Sequence, residues 1–104
     1  MHGYSSVSEL RADALAVFKE QNQASGAVML LLPALDPADP MTLALAEADT
    51  AMLAACEPLN KMAIALREDQ PPSLKQRRRL PGSISACRTA TLETRRLLAC
   101  SPDS

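Results

Sequence analysis

The sequence predicts an all-α protein, an antiparallel bundle of three main helices, and three observations carry that expectation. Apolar residues recur at alternating steps of three and four through long stretches. The composition is rich in Ala and Leu, strong helix formers, while Val7, Val17, Val28, Ile64 and Ile84 make up the whole β-branched aliphatic set. No stretch alternates with the period of two that a half-buried strand requires.

The first helix is expected over about 6–32, opened by Ser6-Val7-Ser8-Glu9, a capping box in which hydroxyl and carboxylate each satisfy an orphaned N–H. Its seam runs Val7, Leu10, Ala14, Val17, Gln21, Ala24, Val28, Leu31 and Leu35, a heptad pattern broken only by polar Gln21. Gly26 and the Gln21-Asn22-Gln23 segment leave open one long helix or a break near residue 24. Pro33, Pro37 and Pro40 end it.

The second helix is expected over about 40–69. Asp39-Pro40 supplies a capping acid followed by proline at the first helical position, where the missing N–H costs nothing. Its stripe is Leu45, Ala48, Met52, Cys56, Leu59, Ala63 and Leu66, and Pro58 inside it should kink or divide the helix. Pro71-Pro72 stops it. The third region should be broken: a short basic helix over about 73–80 opened by Ser73-Leu74-Lys75-Gln76, an interruption at Pro81-Gly82, and a last helix over about 83–98. The stripe of that last helix, Ile84, Cys87, Thr91 and Leu98, is weakly apolar, so loose packing is expected.

A chain of 104 residues fits one compact domain, and with no repeat or low-complexity linker in sight residues 1–104 are read as a single helical domain. Its core material is lean, because Tyr4 and Phe18 are the only aromatic residues and Ala buries little area. Part of the burial is therefore expected between subunits, as a homodimer, or against a partner. Charge is segregated. Residues 1–70 carry four Lys or Arg against ten Asp or Glu, and residues 71–104 carry seven against two. Such asymmetry suits either an anionic partner at the basic end or packing of one part on the other.

Cys56, Cys87 and Cys100 are odd in number and lack CxxC spacing, so free, half-buried thiols are expected rather than a disulfide framework or a zinc site. No secretory leader is legible at the start of the chain, and the longest apolar run, Ala27 to Leu32, is far short of the ~20 residues that span a bilayer. The expected setting is cytoplasmic, without membrane insertion.

Catalytic equipment is hard to find. The single histidine, His2, lies near the terminus, the three glycines are scattered at Gly3, Gly26 and Gly82 rather than grouped into a phosphate loop, and no metal-ligand spacing occurs. The acid pairs Glu47 with Asp49 and Glu68 with Asp69 occupy helix-surface positions where solvated carboxylates are usual. No enzyme, cofactor or metal is expected.

Two features suit binding instead. Ala27-Val28-Met29-Leu30-Leu31-Leu32 is apolar on every helical face, so burying one stripe leaves another needing cover. Val28, Leu31, Leu32 and Leu35, with Leu45 and Met52 from the next helix, are the candidate partner-binding or self-association residues. The run Lys75, Arg77, Arg78 and Arg79 is a candidate electrostatic contact for phosphates or an acidic surface; its plainer reading is a solvated segment that offsets the acidic helices. Nucleic-acid binding through 75–79 is the alternative function, weakened by the acidic majority of the chain and by having no aromatic near the patch for base stacking.

From Met1-His2-Gly3-Tyr4-Ser5-Ser6, through the proline-bounded helices, to Arg95-Arg96-Leu97-Leu98, the chain resembles the small bacterial quorum-sensing antiactivators in length and helix plan. That resemblance implies a non-enzymatic protein that binds the ligand-binding domain of a LuxR-type transcription factor, blocks its dimerisation and so prevents DNA binding.

Overall fold

A computed structural model describes residues 7–68 and 74–100; the side chains of Val7, Ser8, Leu66, Gln76 and Arg77 lie outside the description. Every regular element in it is helical, as the period of the apolar residues requires. Three helices, α1 (Val7–Leu31), α2 (Pro40–Arg67) and α3 (Leu74–Ala99), pack against one another, with a 3-10 turn at Leu32–Ala34. The expected capping serines Ser6 and Ser73 and the Pro71-Pro72 stop fall outside the described residues.

α1 runs unbroken through Gly26, which closes the option of a break near residue 24. Its buried positions are Ala14, Val17, Gln21, Ala24 and Val28, with Leu10 and Leu31 half-buried at the ends of the same seam. Gln21 is therefore a core residue, 2% exposed, whose Oε1 has no hydrogen-bond partner among the described residues. A buried amide in a helical seam costs stability and restricts the registers that the helices can adopt.

The connection to α2 is built by prolines and short acids. Pro33 has no N–H to donate into the preceding turn and biases Leu32 away from helical backbone, so the chain tightens to a 3-10 turn closed by Leu35 N–H on the Leu32 carbonyl at 3.1 Å. Asp36 Oδ1 accepts from the Ala38 N–H at 3.0 Å, and the Thr42 hydroxyl donates to the Asp36 carbonyl at 2.7 Å. Asp39 then caps α2 as anticipated, its Oδ1 accepting the Met41 N–H at 2.9 Å while Pro40 takes the first helical position.

α2 continues as one helix across Pro58, an exposed residue. The sequence stripe holds: Leu45, Met52, Cys56, Leu59 and Ala63 are buried, and Met62 joins them. α3 corrects the expectation of a broken third region. It is a single helix over 26 residues that passes through Pro81 and Gly82. An interior proline costs about 3 kcal/mol or more. Here Leu80 and Ile84, on either side of it, are buried in one apolar cluster and hold both turns to the same neighbours. The seam is fuller than expected, adding Leu80, Thr94 and Leu97 to Ile84, Cys87 and Thr91.

The apolar interior divides in two. The larger cluster joins Ala14, Val17 and Ala24 of α1 to Met52, Cys56, Leu59 and Met62 of α2 and to Leu80, Ile84 and Cys87 of α3. The smaller has Val28, Leu45 and Leu97 at its centre, ringed by partly buried residues including Leu31, Leu32, Leu35 and Met41. Thr94, fully buried, places its hydroxyl 3.0 Å from the Ala90 carbonyl and 3.3 Å from the Ala48 carbonyl, tying α3 to α2. Asp13 pairs with Arg88, and Glu20 lies 4.0 Å from Arg95. Both pairs join residues 75 apart in sequence and stand one heptad from each other, so they mark α1 and α3 as parallel neighbours in a common register.

Cys56 and Cys87 form a disulfide across α2 and α3, with their Cα atoms 4.5 Å apart and both residues fully buried. This corrects the expectation of three free thiols. The odd count and the lack of close spacing concealed the bond because its two halves come from antiparallel helices 31 residues apart. The Thr91 hydroxyl lies 3.9 and 4.0 Å from the two sulfurs, and only Cys100, exposed just past α3, is free.

Candidate interaction surfaces

The residues chosen from sequence for partner binding separate sharply by position. Val28, Leu45 and Met52 are fully buried within the single chain and are not surface residues. Their heptad positions point inward, and the three helices cover them. Leu31, Leu32 and Leu35 are half-buried around the smaller cluster, where α1 gives way to the 3-10 turn.

The exposed side of this segment falls on other residues of the same apolar stretches. Met29 is 72% exposed and Leu30 is 84% exposed, while Leu43, near the start of α2, is 60% exposed. The end of α1, the 3-10 turn and the start of α2 lie at one end of the bundle, so this end presents Met29, Leu30 and Leu43 beside the half-buried leucines. The signal was available in principle: in Ala27 to Leu32, any residue one or two places from the seam position Val28 turns away from the core. Leu15, Leu53, Ile64, Leu74 and Leu92 are also exposed but are spread along the three helices, and single exposed leucines are ordinary.

The basic segment lies toward the opposite end. Lys75, Arg78 and Arg79 are exposed on the first turns of α3; the side chain of Arg77 falls outside the described residues. Between α2 and α3 beside them is a cavity of about 250 Å³, walled by Pro58, Met62 and Leu80 and rimmed by Glu57, Lys61, Arg79 and Ser83. Lys61 Nζ is 3.0 Å from Glu57 Oε1. A second hollow of about 290 Å³ lies between α1 and α2, lined by Arg11, Leu15, Phe18, Ala63 and Arg67.

Among the described residues, Asp49 is the one partly buried acid whose protonation equilibrium is clearly displaced. Burial pushes its carboxyl up, a side-chain hydrogen bond with Ser25 pulls in the opposite direction, and Oδ1 has no partner among the described residues. On the surface, the Glu93 carboxyl is held below its usual range by its hydrogen bond from Arg96, one turn away on α3.

Among the described residues no three His, Cys, Asp or Glu are grouped so as to hold a metal ion, and no helix is long and apolar enough to cross a membrane. No family model, curated protein or solved structure matches the chain.

Proposed function

We propose that the chain is a non-enzymatic regulatory protein that docks on another protein through the apolar end formed by Met29, Leu30 and Leu43 with Leu31, Leu32 and Leu35. The observation that carries this reading is the outward placement of large side chains next to the smaller cluster. An amphipathic helix end of this kind suits a hydrophobic surface that a partner would otherwise use to dimerise. The resemblance to quorum-sensing antiactivators supplies the partner in this reading: the ligand-binding domain of a LuxR-type transcription factor, kept from dimerising and hence from DNA. Homodimerisation through the same end belongs to the proposal.

The test is co-elution of the purified chain with such a receptor domain. Leu30→Asp, at an exposed position, should abolish the complex while helical circular dichroism is retained. A wild-type chain that never co-elutes with the receptor domain removes that partner, and equal binding by Leu30→Asp removes the surface. Light scattering that finds only monomer at high concentration removes the homodimer.

The exposure of Lys75, Arg78 and Arg79 favours one other reading, a nucleic-acid-binding regulator. It requires binding that weakens steeply with salt. A flat gel-shift titration at low salt eliminates it.

A further inference from the structure

We propose that the cavity between α2 and α3 is a binding site for a small amphipathic monoanion, a carboxylate carrying a short acyl or aryl group. The chemistry of the walls sets both halves of that ligand. Pro58, Met62 and Leu80 form an apolar floor, and Met62 and Leu80 are themselves buried, so a hydrocarbon group placed there meets packed side chains rather than water. The volume of about 250 Å³ falls just under the ~300 Å³ at which pockets for drug-sized molecules begin, which limits the occupant to something small.

The rim selects charge. Glu57 is already paired with Lys61, which leaves the Arg79 guanidinium as the one charge at the mouth with no carboxylate partner among the described residues. Pair and guanidinium together carry a single positive charge, matched by one negative charge on the ligand. A guanidinium fork binds a carboxylate through two parallel N–H···O bonds. Ser83 is one helical turn beyond Arg79 on α3 and adds a hydroxyl donor at the rim, while Lys75, one turn before it, shares that face and raises the local concentration of anions. This site lies away from the apolar docking end, so the inference stands apart from the protein-binding reading.

The test is a titration of the isotope-labelled full chain with octanoate, followed by amide chemical shifts. Saturable shifts should centre on Lys61, Met62, Arg79, Leu80 and Ser83. Arg79→Glu, at an exposed position, should weaken octanoate at least about tenfold, as expected for loss of a hydrogen bond to a charged group, with the remaining spectrum preserved. Octylamine should fail to bind there, and inorganic sulfate should fail to displace octanoate. Shifts centred instead on Met29, Leu30 and Leu43, equal binding by octylamine, full displacement by sulfate, or unchanged affinity in Arg79→Glu would each overturn the site.

Discussion

At the end of the bundle where α2 finishes and α3 begins, the helices close over Leu59, Met62, Leu80 and Ile84, and the buried Cys56–Cys87 bond joins two of the three. At the other end, Val28, Leu45 and Leu97 are buried but Met29, Leu30 and Leu43 stand in water around them. Both ends are made of the same few apolar residue types. What differs is where each side chain stands on its helix: Val28, Leu45 and Leu97 face the core, whereas Met29 and Leu30 sit one and two places off that seam, and so apolar content alone does not say which residues are core and which are available to a partner.

That contrast is open to measurement. The largest effect should come from Cys56→Ala with Cys87→Ala: a bond closing a loop of this length constrains the unfolded chain by about 4 kcal/mol, its ends lying 31 positions apart. Chemical denaturation should show the loss, and treatment of the native chain with a dithiol reductant strong enough to open the bond should reproduce most of it. A double variant as stable as the wild type would leave the closed end no more secured than the open one.

Next, Met52→Ala should cost about 3 kcal/mol through lost burial and the cavity left behind, because Met52 is fully enclosed in the larger cluster. Leu30→Ala should move stability by no more than about 0.5 kcal/mol, as for surface substitutions away from special features. Equal losses at the two positions would erase the distinction between enclosed and available residues.

A smaller effect than that at Met52 concerns Asp49. Its carboxyl is raised in the folded chain by burial, so the native state holds that proton more tightly than the unfolded state does. The sign follows: the contribution is most favourable in acid below the unfolded value and is lost as pH rises through the interval up to the folded value. Asp49→Asn should remove this decline and raise stability near neutral pH by about 1 kcal/mol, the scale of relieving a poorly paired buried polar group. Denaturation curves of the two proteins across the acid range should converge at low pH; parallel curves throughout would show that the site does not sense the proton.

Much of this architecture was legible from residue order. The seam of α1 lies where the three-and-four spacing put it, and the Asp39-Pro40 start of α2 has the geometry that a short acid before proline dictates. What could not be read locally depended on neighbours in space. Pro81-Gly82 has every mark of a break, yet burial of Leu80 and Ile84 in one cluster outweighs the proline penalty. Cys56 and Cys87 each sat on a recognised apolar stripe, and laying those stripes antiparallel would have brought them face to face. The apolar run Ala27 to Leu32 holds more than one face can bury, and which of its residues stay outside is set by the packing of Leu45 and Leu97 on Val28 rather than by the run itself.

The covalent link between α2 and α3 also changes what it means to sever this chain. A single backbone cut anywhere between positions 56 and 87 yields two fragments that remain one molecule until a reductant is added, whereas a cut between α1 and α2 leaves the first helix attached by packing alone. Dilution or mild denaturant would then separate α1 from a hairpin that keeps its own covalent tie, so one molecule contains both a detachable strand of helix and a permanently paired remainder.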